Sequence, residues 1–432
     1  MPGDRASDGP PLRVLLSEGS SSSAREAVTA LGLAGYHVEI CDPDPLCIGR
    51  FSRYVKKFHH CPGLRDDPLG YLAFIETLVA GGGFDVLLPI HEQGFLFARV
   101  PERLTPHVAV ALPSFAAYEI AHGKASFTRL LDRLGLPHPR TRFAATPAEL
   151  LATKDFPIIA KTSIGTASRG IWKIDDAAEL KTAAGEMEAA GTFAEPLLVQ
   201  AFTAGPTEHA QAVFAQGRLV ACHVFRQLAR GAGGGPSRKE SVLRPEVDEH
   251  MRRFGAALDW HGALSLDYIL GPEGPLYVDC NPRLVEPMSA KLAGIDLADI
   301  LVRVSVGEAP AEVPAGRPGV KTHIAIQALF GCALETKSRL RLLEECWRLA
   351  AHRPPYDGSL EEFTPLRLDP PSVLPLTFAA LALLVDPRNA VTLPQKRWGK
   401  HLLTPEGAQA IRQMKGAAPI QAEKLPPSSS SM

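Results

Sequence analysis

The sequence predicts an α/β protein, α+β in its later part, and three observations carry the prediction. Residues 12 to 42 read as strand, tight turn, helix and strand, with the helix entered through the serines of "SSSS". Two apolar runs, "LSLDYIL" and "PLYVDC", flank a Gly-Pro-Glu-Gly-Pro turn and read as an antiparallel hairpin. After about residue 311 the text becomes helical, with Pro-rich joints. With 432 residues, 45% of them hydrophobic, the chain can bury ample core and has room for several domains.

Composition removes several function classes. A formal net charge of −1, with no dense Lys/Arg tract interleaved with aromatics, offers nothing to a phosphate backbone, so no nucleic-acid partner is expected. The cysteines at 41, 47, 61, 222, 280, 332 and 346 are odd in number and contain no CxxC pair. That argues against a zinc knuckle or a disulfide framework and makes a reducing cytoplasm the expected location. The opening "MPGDRASDGPP" lacks the apolar core of a secretory signal. Residues 1–11 and the tail 416–432 are expected to be disordered.

Punctuation sets the expected boundaries. Residues 12–121 read as a Rossmann-like βαβ domain, in which "FDVLLPI" ends at residue 90 and leads directly into "HEQG". Ligands in such sheets collect beyond the carboxyl ends of strands, so His91 and Glu92 are candidate contacts, a plain polar loop being the alternative. The serine turn at 20 to 23 suits an anion, though helix capping explains it equally.

A second domain is expected over 122–310, with a small lid over about 140–203 and a metal-binding lobe over about 204–310. Its first helix stops at Gly135. In "FPIIAKTSIGTASRGIWKI" a strand delivers Lys161 into a small-residue loop before a second strand. Ser163, Gly165, Thr166, Ser168 and Gly170 offer backbone N–H groups and hydroxyls to a polyphosphate, with Lys161 beside them; an ordinary hairpin is the alternative. The strand "LLVQAFT" follows, where backbone groups and Gln200 suit adenine, and Glu208 just beyond is placed for ribose hydroxyls.

The hairpin carries the strongest signal. If Leu270 faces Leu276 across a five-residue loop, Asp267 sits opposite Asp279 and Ser265 opposite Asn281. Two carboxylates on one face of an apolar hairpin repel unless a cation lies between them. Mg2+, or Mn2+, suits a set of carboxylate and amide oxygens, so Asp267, Asp279 and Asn281 are the candidate ligands. Arg283, just beyond, can reach an anionic group held next to the metal.

Taken together these segments resemble the ATP-grasp superfamily, in particular its carboxylate–amine ligases and the ATP-binding domains of carbamoyl-phosphate-synthase and biotin-carboxylase type. The resemblance runs over about residues 12 to 310 and rests on Lys124 opening a helix, Lys161 at a strand end, the small-residue loop and the closing "DCNPR". It implies that Lys124 and Lys161 hold ATP phosphates under the loop and that groups around Ala201, Phe202 and Thr203 meet adenine. It also implies magnesium on Asp267, Asp279 and Asn281, and catalysis by Lys161 and Arg283. Gln200 stands where members usually have Glu, and Asp279 where Glu is commoner. The glycine-rich stretch 225 to 242 would face substrate, with Arg226 and Ser237, together with Glu92 and Arg283, binding it.

The activity this implies is ATP-dependent activation of a carboxylate as an acyl phosphate, attacked by an amine to form an amide with release of ADP and phosphate. No protein nucleophile is required. The partners are a small carboxylate and a small amine, and a homodimer is among the allowed assemblies. Carboxylation, a kinase reaction and a non-catalytic regulatory role are the alternatives. In the mostly helical region 311–415, "VLPLTFAALALLV" is too short to span a bilayer, which needs about 20 apolar residues. It is expected to be a buried helix, with an interfacial helix as the alternative.

Overall fold

A computed structural model describes residues 10–163, 170–398 and 401–414. The readings for most of the two termini, and those for Gly165, Thr166 and Ser168, lie outside the described residues.

The first sheet is parallel. Strands β1 (Arg13–Leu16), β2 (His37–Asp42), β3 (Val55–His60) and β4 (Val86–Leu88) lie in the order β3-β2-β1-β4. The three residues of β4 and the last three of β1 are all buried, as parallel strands covered on both faces require. The helix Ser22–Leu33 joins β1 to β2, and Ser21 caps it by accepting from the Ala24 N–H at 3.0 Å. Since β1 has β2 on one side and β4 on the other, the carboxyl ends of β1 and β4 open onto a switch-point crevice.

A small antiparallel sheet follows, in the order β5-β8-β6-β7, built from β5 (Thr141–Ala144), β6 (Ile158–Lys161), β7 (Ile171–Ile174) and β8 (Leu197–Ala201). It keeps its own core: Ile158, Ala160, Ile174 and Leu197 pack against Leu180 and Met187 of the helix Ala177–Ala189.

The large sheet has the order β13-β12-β9-β10-β11-β14-β15. Its strands are β9 (Thr207–Ala215), β10 (Arg218–Arg230), β11 (Pro236–Val242), β12 (Gly262–Gly271), β13 (Gly274–Asn281), β14 (Lys321–His323) and β15 (Leu360–Glu361). One face packs on the helix Pro245–Leu258, whose Val247, Met251 and Phe254 recur at helical spacing and are fully buried. The other face is the floor of a cavity. Most of the glycine-rich stretch 225 to 242 is strand: only 231–235 turns, between β10 and β11.

The β12–β13 hairpin pairs Asp267 with Asp279 and Ser265 with Asn281, as expected, but by a different path. The turn is tighter, with Gly271 opposite Gly274 and Leu270 opposite Pro275 rather than Leu276. A register shift between Asp267 and Tyr268 leaves Val278 as the extra residue and restores the pairing of the acids.

The C-terminal region is more than a helical appendage. It adds β14 and β15 to the large sheet, and buried ion pairs fasten it in place. Lys239 on β11, fully buried, meets Glu286 and Glu362 at 2.7 Å each. Arg25 on the first helix meets Asp369 at 2.7 Å, both out of contact with solvent. The helix Val373–Val385 corrects an expectation, because only Ala379 and Leu383 are buried. Leu374, Phe378, Leu381 and Val385 are each more than half exposed on the opposite face. The run is apolar all round, yet the helices Ala325–Thr336 and Arg339–Ala350 beneath it cover one side alone. Among the described residues no helix is long and apolar enough to cross a membrane.

Candidate functional site

A cavity of about 930 Å³ lies where the parallel sheet, the small antiparallel sheet, the large sheet and the C-terminal helices converge. Alternation along the strands decides what its floor presents. Asp279, Asp267, His209 and Phe225 are successive cross-strand partners, forming one row across β13, β12, β9 and β10. Asn281, Ser265 and Gln211 form the next row. All of these side chains line the cavity.

Each acid has a basic partner within the protein. Lys124, the first residue of the helix Lys124–Leu134, donates to both Asp279 oxygens at 2.9 and 3.1 Å. His209 Nδ1 lies 2.7 Å from Asp267 Oδ1. Burial alone would lower the imidazole, but the Asp267 carboxylate raises it above its ordinary value. Asp267 itself is held below the usual carboxylate range: burial pushes it up, and His209, Arg283 and Lys124 outweigh that push. Arg283 Nη2 donates to Asn281 Oδ1 at 3.3 Å. Gln211 Oε1 is buried with no hydrogen-bond partner among the described residues. The oxygens of Asp267, Asp279, Asn281 and Gln211 make a hard donor set, so the residues present fit Mg2+ or Mn2+.

Lys161, at the end of β6, reaches across from the small sheet and donates to the Val278 carbonyl at 3.1 Å. Burial, opposed by Asp279 and reinforced by Lys124, brings its ammonium down to about 8. After β6, Thr162 N–H donates to Gly170 O at 2.9 Å, and Ser163 O accepts from Lys124 N–H at 2.9 Å. Gly170 has φ +69°, and a Cβ there would sit 2.3 Å from Thr162 Oγ1, so backbone geometry demands the glycine. His91 and His122 both line the cavity and both are driven towards the neutral form, His122 down to about 3. Burial is the main cause, and the charge of Arg283 (for His91) and of Lys124 (for His122) adds to it.

The structure therefore brings together Lys124, Lys161, Asp267, Asp279, Asn281, Arg283 and, from the parallel sheet, Glu92. Glu92 is buried and its carboxylate accepts from the Leu403 N–H. Ser20 to Ser23 also line the cavity, but the group their turn cradles is the buried carboxyl of Glu18, which accepts from the Ser20 and Ser21 N–H groups.

Other candidates are placed elsewhere. Glu208 faces the opposite side of the sheet, fully buried, where Arg226, Arg244 and Tyr268 take up its carboxylate at 2.6–2.9 Å. These partners hold it below the usual carboxylate range against the effect of burial, and it offers nothing to a ribose. Arg226 is spent on the same cluster and does not line the cavity. Ser237 is buried and donates to the Arg230 carbonyl at 3.1 Å. Gln200 is buried and donates to Thr141 Oγ1 at 3.0 Å. The N–H groups of Ala201 and Phe202 go to the carbonyls of Arg140 and Pro157, and neither these residues nor Thr203 line the cavity.

Sequence reasoning missed His209, Gln211 and Phe225. The signal was available: with Asp267 fixed on the cavity face, period-2 counting along "TEHAQAVFA" selects His209 and Gln211 and rejects Glu208.

Comparison with protein-family models gives no match. The chain is 26% identical over 307 residues to a carbamoyl phosphate synthase large chain of Thermus thermophilus, an alignment that takes in 66% of this chain and 29% of that relative. The chain thus spans under a third of the length of the curated relatives it matches. Among solved structures, the biotin carboxylase domain of Hydrogenobacter thermophilus 2-oxoglutarate carboxylase, in complex with MgADP, ADP and bicarbonate, superposes with a TM-score of 0.57 at 16% identity, covering 72% of this chain and 73% of that one. The L-amino acid ligase of Bacillus licheniformis gives a TM-score of 0.56 at 16% identity, covering 73% and 80%. The chain is thus similar in fold to these ATP-grasp enzymes and similar in sequence to the carbamoyl phosphate synthase large chains.

Proposed function

We propose that the protein is an ATP-dependent ligase, active in the cytoplasm, that activates a carboxylate as an acyl phosphate and passes it to an amine. The observation that carries this reading is the facing pair Asp267 and Asp279, with Asn281 beside them and Lys124 and Lys161 converging on the same cavity wall. We also propose that residues 12–121, 122–310 and 311–415 work as its three structural parts.

Asp267, Asp279 and Asn281, with Gln211 adjacent, would hold Mg2+. When bound, the ion neutralises charge on the transferring phosphoryl group. Lys124 exchanges part of its contact with Asp279 for a phosphate oxygen, and Lys161, on the lid strand, holds the nucleotide from above. Arg283 orients the carboxylate and offsets the charge that develops on it. Positioning and charge neutralisation suffice, because the acyl phosphate forms by direct attack of the carboxylate on the γ-phosphate.

Hydroxylamine tests the reading. With ATP, Mg2+ and a pool of carboxylates, a competent acid releases ADP and yields a hydroxamate; adding its amine diverts the product to an amide. A stable phosphorylated product would instead identify a kinase. A second reading, carboxylation, is favoured by the likeness to the biotin carboxylase domain. ADP release stimulated by bicarbonate without another acid would select it.

The lowered Lys161 ammonium gives a pH signature. Polyphosphate stabilises the charged lysine, so its pKa is higher in the complex than in the free protein. Below about 8 the lysine is charged in both states, and ATP affinity is constant with respect to this group. Above that value binding takes up a proton, and affinity falls by up to about tenfold per pH unit until the pKa of the complex is reached. Titration calorimetry from neutral to alkaline pH should show this fall in the natural protein and its loss in Lys161→Arg.

A further inference from the structure

The C-terminal region gives the cavity a second half unlike the first. Phe225, Ile326, Phe330, Phe363, Leu374 and Phe378 line it, drawn from β10, from the helices Ala325–Thr336 and Val373–Val385, and from the strap after β15. Phe225 is in the same cross-strand row as Asp267, two strands further on, which is roughly 10 Å at the usual strand spacing. The lid approaches from the other direction, since Lys161 bonds the Val278 carbonyl on β13, the edge strand beyond Asp267. A nucleotide held between the lid and the β12–β13 edge therefore leaves the β10 side of the acids to the other reactant.

That side is mainly apolar, with Gln227, Arg230 and Gln327 as its polar members. Lys239, below the ring of Phe225 at 5.0 Å, is fully buried and already matched by Glu286 and Glu362, so it presents no free charge to a ligand. Phe225, Phe330 and Phe363 are buried, while Leu374 and Phe378 remain more than half exposed at the mouth. Exposed aromatic and aliphatic side chains at the rim of a concave site gain most when an apolar ligand covers them.

We propose that the carboxylate substrate carries a large apolar body, an arylalkyl or medium-chain alkyl group, seated against the C-terminal helices with its carboxylate directed along the Phe225–His209–Asp267 row. The proposal rests on the ligase reading for the position of the carboxylate and on the C-terminal wall for the identity of the body. It gives residues 311–415 a role as the specificity wall of the site.

The test measures hydroxylamine-supported ADP release by the full chain with acetate, butyrate, hexanoate, octanoate and hydrocinnamate. The expected result is a rise in kcat/KM of about threefold to fourfold per added methylene. Phe378→Asp and Leu374→Asp, at exposed positions that leave the fold intact, should flatten the series without changing the KM for ATP. A flat series, a preference for acetate, or an undiminished climb in both variants overturns the proposal while leaving the ligase reading in place. If no acid releases ADP, the ligase reading falls. Calorimetric binding of the same acids with a non-hydrolysable ATP analogue then decides the chamber, where affinity rising with chain length supports it and no binding overturns it.

Discussion

Asp279→Asn is expected to lower ATP turnover on the order of 10³-fold, through loss of several kcal/mol of transition-state stabilisation, with little change in the unfolding midpoint. Asp279 is 28% exposed at its side chain and accepts twice from Lys124, which is only 6% exposed. Asn preserves the size and one acceptor for that buried ammonium, whereas Ala would strand it and confuse a catalytic loss with a folding one. What Asn removes is the negative charge facing Asp267, and with it the demand for a divalent cation. Asn281→Ala should behave alike, since its Oδ1 accepts from Arg283 at a long 3.3 Å and little of the fold depends on that contact. Steady-state ADP release and chemical denaturation, measured on the same preparations, check both halves. Turnover within a few-fold of the natural protein in both variants would remove the metal assignment.

The largest effect on stability is expected at Asp369. Its carboxylate accepts from Arg25 Nη2 at 2.7 Å, Ser52 Oγ at 2.6 Å and Arg53 N–H at 2.8 Å, and it is fully buried. Arg25 is 1% exposed at its side chain. Asp369→Ala leaves that guanidinium buried without its counter-charge, and removing one partner of a buried pair costs about 3–5 kcal/mol. Because the pair joins the first helix to the C-terminal region, the loss should appear as a lower denaturant midpoint and as loosening of the cavity wall. Replacing both partners by leucine should recover much of the stability, since two apolar groups need no compensation. A midpoint unchanged in Asp369→Ala would show that the C-terminal region is not held by this contact.

How much of this was legible beforehand differs by element. The βαβ opening, the lid hairpin and the acid-bearing hairpin follow from short apolar runs with clear turn residues, and each is local. The Asp267–Asp279 pairing emerged from a turn drawn too long and a bulge not foreseen, two one-residue departures that cancel. Glu208 and Arg226 were misjudged for a related reason: strand parity is inherited from neighbouring strands, and a residue chosen by charge alone has an even chance of facing the wrong way. Gln200 went to Thr141 because the strand that carries it pairs with β5, a contact between distant segments. The exposed face of the helix Val373–Val385 was hidden by uniform apolarity, which signals burial without saying how many sides are covered. The apolar chamber could not be read at all, because β14 and β15 bring it to the site only by joining a sheet whose order is not sequential.

The ligase reaction depends on direct attack of the carboxylate oxygen on ATP. It is tested most directly with the acid that best supports ADP release, labelled with 18O in its carboxyl group, in the presence of ATP and its amine. Direct attack yields amide together with inorganic phosphate that has taken up one labelled oxygen per turnover. Amide formation with unlabelled phosphate, or with AMP in place of ADP, would contradict it.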